Sequence, residues 1–133
     1  MTLVDSNVLI DLLSHDPVWD PWSSSALEEA ARHGLLAINP IIYAEISAAY
    51  NTPREVDENL SLSTFSRLDL PWEAAFLAGK AFVTYRRRGG TRRSPLPDFY
   101  IGAHAQVKGL TLLTRDATRY RRYFPKLKIV APN

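Results

Sequence analysis

Four carboxylates in this chain are placed where they could do chemistry together. Asp5 ends a short apolar run near the N-terminus. Glu45 lies in PIIYAEISAAY, and its neighbours at helical spacing, Ile41, Ile42, Ala48 and Ala49, mark a face meant for the core. Asp98 and Asp116 are the only acids after residue 79, in a stretch that holds thirteen of the sixteen Lys and Arg residues. Lys80 to Asn133 therefore carries a formal charge of +11, against −9 for residues 1–79. A basic half of this kind invites a polyanion such as nucleic acid. Carboxylates brought to about 4 Å repel by about 4 kcal/mol at an effective dielectric of 20, and a divalent cation removes that penalty. All-oxygen ligation suits Mg²⁺ or Mn²⁺, and the chain supplies no soft ligands.

Each acid also has a plainer role open to it. Asp98 and Asp116 suit helix N-caps, worth about 1 kcal/mol each, and Asp5 could cap the helix that follows it. A buried Glu45 is commonly matched by an Arg or a hydrogen-bond network. A cap, however, is equally well made by Ser, Thr or Asn, whereas a metal site needs anionic oxygen. The histidines do not build an alternative centre. His33 suits a helix C-terminus, His15 falls in a loop, and His104 is six residues after Asp98, on a different helix face. There is no cysteine, which excludes disulfides, zinc-thiolate sites and a cysteine nucleophile. No G-x-S-x-G or Gly-rich phosphate loop is present.

The elements that must position these acids follow from periodicity and capping signals. Leu3 and Val4 predict a strand running into Asp5, followed by a short amphipathic helix, Asn7 to Leu13. Asp20-Pro21 opens a helix over Trp22 to His33, stopped by Gly34. Leu35 to Ile38 is a strand. Asn39-Pro40 caps a helix over Ile41 to Tyr50, and Thr52-Pro53 caps another that runs to about Leu62. Residues 67–70 form at most a short strand. Pro71 precedes a long helix, Trp72 to about Arg88. GGTRRSPLP at 89–97 is a loop. Asp98 heads a helix to residue 108, ended by Gly109. Thr111 to Thr114 is a strand, Asp116 begins a short helix, and Lys128 to Val130 is a last strand. Alternating strands and helices imply an α/β fold with a buried parallel sheet of about four or five strands, formed by residues 1–133 as one domain. Asp5 and Asp116, each just after a strand, should share the carboxyl-end rim where ligands bind.

The motifs resemble those of PIN-domain ribonucleases, in particular VapC-type toxins of toxin–antitoxin pairs. LVDSNVLIDLL is similar to the family's first motif, with Asp5 as metal ligand and Asn7 beside it. PIIYAEI is similar to the second, with Glu45. LPDFYIGAHAQVKGLTLLTRD is similar to the third and fourth, with Asp98, Thr114 and Asp116. The resemblance covers nearly the whole chain. It implies a central parallel sheet flanked by helices, with Asp5, Glu45, Asp98 and Asp116 clustered at one end. It also implies Mg²⁺- or Mn²⁺-dependent cleavage of single-stranded RNA, a homodimer, and a cognate antitoxin as partner. Asp5 and Asp98 would be direct ligands, with Asp116 completing the site directly or through water.

Arg86, Arg87, Arg88, Arg92, Arg93 and Arg115 are candidates for RNA binding, and the same charges could meet an acidic antitoxin segment. Tyr85, Phe99, Tyr100, Tyr120 and Tyr123 lie among them; a few could stack on bases, while most suit the core. Trp19 and Trp22 are candidates for an apolar partner groove, or for core packing. Two other readings are a haloacid-dehalogenase-like phosphatase and a non-catalytic RNA-binding module. The first would want a second acid two residues after Asp5, where this chain has Asn7. No basic signal segment and no apolar run of about 20 residues is present, so a cytoplasmic protein without a membrane anchor is expected.

Overall fold

Five short parallel strands form the sheet in the computed structural model, which describes residues 1–61 and 63–133. They are β1 (Thr2–Val4), β2 (Leu36–Ile38), β3 (Phe65–Arg67), β4 (Thr111–Leu113) and β5 (Ile129–Val130). The helices among them are α1 (Ser6–Leu13), α2 (Asp20–His33), α3 (Pro40–Ser47), α4 (Pro53–Asn59), α5 (Trp72–Arg87), α6 (Pro97–Lys108) and α7 (Thr118–Tyr123). Leu3, Val4, Leu36, Ala37, Ile38, Leu112 and Leu113 are all buried, as strands covered on both faces require.

The strand order is β3-β2-β1-β4-β5. The chain winds outward from β1 through β2 and β3, then crosses to β4 and β5 on the other side. The winding reverses between β1 and β4, and a reversal in an open parallel sheet leaves a crevice beyond the carboxyl ends of those strands. Leu3 pairs with Leu112 and Val4 with Leu113. The register brings Asp5 and Thr114 level at the crevice, and the Asp5 N–H extends the ladder to the Leu113 carbonyl at 2.9 Å.

Helix α6 delivers Asp98 to the same place. Ala74, Ala78 and Ala81 line the buried side of α5, small enough to let α5 lie close along α6. Tyr85, Phe99 and Tyr123 meet edge to face, with centroids 5.1–6.5 Å apart, and tie the end of α5 to the start of α6 and to α7.

Several boundaries differ from expectation, each for a local reason. The Asn39 and Thr52 caps form as expected, accepting from Ile42 N at 3.0 Å and Glu55 N at 3.2 Å. Asp20 is instead already inside α2. Asp16 Oδ1 takes the N–H groups of Val18 and Trp19, and the Asp16 carbonyl accepts from Asp20 N, so the helix starts earlier. Helix α3 stops at Ser47, because Ala49 and Tyr50 donate to Ile46 and Ser47 in a tighter turn. Ala48 and Ala49 therefore face solvent, and the buried side of α3 is Ile42 and Ile46. The third strand lies at Phe65–Arg67 rather than 67–70, since Phe65 is the side chain the core takes in. The expected end of the helix from Thr52, at Leu62, lies outside the described residues. Trp22 packs on the core and Trp19 lies under the Arg115 guanidinium, so neither opens a groove.

Candidate active site

The four acids line one pocket of about 500 Å³ in the crevice, together with Arg119 and Arg122. Asp5 is 3% exposed and caps α1, its Oδ1 accepting from Ser6 N at 2.8 Å. Its Oδ2 accepts from two buried hydroxyls, Thr114 Oγ1 and Tyr120 Oη, both at 2.8 Å. Burial pushes the Asp5 carboxyl above its ordinary range, the Thr114 and Tyr120 hydroxyls oppose that rise, and the Asp98 charge adds to it.

Thr114 is itself held from three sides. It accepts from Asn7 Nδ2 at 3.2 Å and from Asp116 N at 3.3 Å, while Asn7 Oδ1 accepts from Arg115 N at 3.1 Å. These bonds lock the loop after β4 to the first turn of α1. Asn7 and Thr114 thus lie beside Asp5, Thr114 in direct contact with it.

Glu45 joins through Ser6, whose Oγ donates to Glu45 Oε1 at 2.9 Å. It is half-buried, and burial followed by the charges of Asp5 and Asp98 pushes its carboxyl upward. Asp98 sits in the first turn of α6 but caps nothing; Leu96 holds the cap position. Its Oδ2 accepts from Arg119 Nη1 at 3.2 Å, and its Oδ1 lies 3.3 Å from Tyr120 Oη. Asp116 is exposed and accepts from Thr118 N at 3.1 Å, which holds its carboxyl below the usual range. It does act at a helix start, though α7 begins two residues after it.

An all-oxygen donor set under mutual repulsion fits a hard divalent cation. Among the described residues, no three acids are already drawn in around a single point. The closest relations run instead through hydroxyls: Tyr120 lies between Asp5 and Asp98, and Ser6 between Glu45 and the Asp5 loop.

The basic residues divide differently from expectation. Arg86, Arg87, Arg88, Arg92 and Arg93 are exposed and outside the pocket lining. Arg86 is tied to the Arg92 carbonyl at 3.0 Å, and Arg88 lies over the Tyr123 ring at 5.3 Å. Arg115 turns away to Asp11, with Nε 2.9 Å from Oδ2 but poorly aligned for a hydrogen bond. Asp11 is buried and also accepts from Ser23 Oγ at 2.8 Å, so Arg115 is its counter-charge.

A sequence model described as the PIN domain matches residues 2–125. The chain belongs to the PIN domain family. Comparison with curated proteins finds no significant match. Among solved structures, this PIN domain is similar to VapBC2 of Rickettsia felis bound to a DNA fragment from its promoter, at 20% identity and a TM-score of 0.75, covering 99% of this chain and 98% of that one. It is similar to VapBC-1 of nontypeable Haemophilus influenzae at 18% identity and a TM-score of 0.74, covering 98% and 96%. A toxin–antitoxin complex from Klebsiella pneumoniae matches at 25% identity and a TM-score of 0.66, covering 100% and 98%.

Four side chains at this PIN domain's site were not expected there: Ser6, Arg119 and Arg122, which line the pocket, and Tyr120, which lies behind it. Ser6 follows Asp5 directly, and its hydroxyl could have been suspected from that adjacency alone. Arg119 and Arg122 were visible only as members of the basic half. Tyr120 read as one aromatic among five. It is 1% exposed, and burial with the charges of Asp5 and Asp98 raises its hydroxyl well above its ordinary value, so it remains a donor.

Proposed function

We propose that this PIN domain is a divalent-metal-dependent endoribonuclease that hydrolyses phosphodiester bonds in single-stranded RNA, and that it is the toxin of a toxin–antitoxin pair. The observation that carries this reading is the convergence of Asp5, Glu45, Asp98 and Asp116 on one pocket at the β1/β4 crevice of a PIN fold. The fold shared with toxin–antitoxin proteins supports the biological role.

Asp5 and Asp98 would hold Mg²⁺ or Mn²⁺ directly, with Asp116 completing the set directly or through water. When bound, such an ion supplies a water acidified toward neutral pH and a positive charge facing the phosphate. The remaining work falls to the chain. Three donors hold the Asp5 carboxylate in one orientation. Ser6 orients Glu45, and Glu45, pushed upward by burial, is a stronger base toward an attacking water than a solvated glutamate. Arg119 and Arg122 at the pocket draw in the phosphate, and Arg86, Arg87, Arg88, Arg92 and Arg93 extend the positive field along the incoming strand. A cognate antitoxin protein, a homodimer and a cytoplasmic location complete the proposal. Among the described residues no helix is long and apolar enough to cross a membrane.

Asp98→Asn tests it. The variant should keep its circular-dichroism spectrum and lose cleavage of single-stranded RNA by about a hundredfold or more, because one charged ligand is replaced by a neutral amide. Undiminished cleavage by purified Asp98→Asn would remove Asp98 from the site. Release of inorganic phosphate from monoesters would point to the phosphatase reading.

A further inference from the structure

Burying a tyrosine hydroxyl is costly unless it finds a partner, and a phenylalanine would fill the same space without that cost. Tyr120 is 1% exposed, and its hydroxyl has two neighbours, Asp5 Oδ2 at 2.8 Å and Asp98 Oδ1 at 3.3 Å. Its single proton goes to Asp5, the shorter contact, and its lone pairs leave Asp98 to be held from the other side by Arg119. Tyr120 and Arg119 are successive residues of α7. One short helix therefore touches both oxygens of Asp98 and one of Asp5.

That reach depends on a close approach between helices. Gly102 lies one turn beyond Asp98 on α6, on the side that α7 covers. A Cβ at Gly102 would lie 2.6 Å from two ring carbons of Phe124 and 3.1 Å from a ring carbon of Tyr120. The missing side chain lets α7 settle low enough for the Tyr120 hydroxyl to enter between the two carboxylates.

We infer that Tyr120 is a positioning residue that orients Asp5 and, with Arg119 beside it on α7 holding Asp98, sets the spacing of the two carboxylates, and that Gly102 is what admits it. The inference rests on the reading of these acids as divalent-ion ligands. Hydrogen-bond partners that orient ligand carboxylates typically carry about ten- to a hundredfold in metal affinity. The role differs from core packing, which would touch stability and leave affinity alone.

The experiment is Mn²⁺ binding to the full chain by isothermal titration calorimetry, with the fold followed by circular dichroism and melting temperature. Tyr120→Phe keeps the ring and removes the hydroxyl. It should fold and bind Mn²⁺ about tenfold more weakly or worse, and the Mg²⁺ concentration for half-maximal RNA cleavage should rise in parallel. Gly102→Ala keeps the hydroxyl and lifts α7, and it should also weaken Mn²⁺ binding. Phe65→Leu, in β3, should lower the melting temperature without changing the Mn²⁺ affinity. If Tyr120→Phe and Gly102→Ala both bind Mn²⁺ as the parent does, Tyr120 is core only and the inference is overturned. If the parent itself binds no Mn²⁺, the metal-dependent reading fails and this inference falls with it.

Discussion

Asp5 and Asp116 follow neighbouring strands of one sheet, yet their surroundings have little in common. Asp5 is 3% exposed and takes a backbone N–H and two hydroxyls, from residues 109 and 115 positions away in the chain. Asp116 faces solvent and takes one N–H from two residues on. Glu45 sides with Asp5, being half-buried and hydroxyl-bonded; Asp98 sides with Asp116, being partly exposed and met by Arg119. The pocket thus has an inner half that is more buried and hydroxyl-bonded and an outer half that is more exposed and cationic. Charge deep inside is worth more and costs more, because the local dielectric is low. On the proposed function, the inner half holds ligands in place and the outer half meets a phosphate that must arrive and leave.

The contrast can be broken from its boundary. Arg115 connects the loop between the halves to buried Asp11, so Arg115→Ala leaves that carboxylate with Ser23 alone. Denaturant unfolding should show a loss of about 3 kcal/mol. A loss below about 0.5 kcal/mol would return Arg115 to the solvated surface.

Thr114→Val probes the inner half. It preserves shape and removes the hydroxyl that serves Asp5 and receives Asn7 and Asp116. The expected cost is about 1–3 kcal/mol of stability, with weaker Mn²⁺ binding by calorimetry. Unchanged binding would mean that the inner half does not tune the ligands.

Arg119→Ala probes the outer half. Its ion pair with Asp98 is partly exposed, so stability should change by less than about 1 kcal/mol. KM for RNA should rise severalfold at low salt, and the difference should shrink as ionic strength screens the charge. A salt-independent loss of kcat would instead place Arg119 at the reacting atoms.

The smallest expected effect concerns pH. Asp5 and Glu45 hold protons more tightly folded than unfolded. In chelator, their contribution to stability is full below the ordinary carboxylate range and is lost as pH rises through their raised values. The melting temperature of Asp5→Asn should therefore depend less on pH in that interval than the parent's. Asp116, shifted downward, has the opposite sign, with stability present above its ordinary value of 3.8 and lost as pH falls through its lowered one. Parallel profiles for parent and Asp5→Asn would show that Asp5 pays no burial cost.

Much of the architecture was legible because its signals are local. Asn39-Pro40 and Thr52-Pro53 announce their helices through contacts two or three residues long, and the apolar runs announce a buried parallel sheet. Asp20-Pro21 misled because Asp16, four residues earlier, competes for the same turn. The acids could be named from their types and order. Their partners could not, because a hydroxyl on α7 reaches Asp5 only after α7 docks on Gly102, and no periodicity encodes that docking. The Arg run showed charge without direction: the five residues before Asp98 stay outside the pocket lining, while Arg119 and Arg122 belong to it.

The long reach of the Asp5 contacts has a consequence for synthesis. A growing chain that has passed Asp98 already carries three of the four acids. It has neither β4 nor α7, and so lacks Thr114, Asp116 and Tyr120 together. Asp5 then has no buried hydroxyl to meet and the crevice has only one wall. A chain built this way has no assembled pocket while its own message is still being read through residue 110, and the pocket waits on the segment 111–123 folding onto β1 and α6.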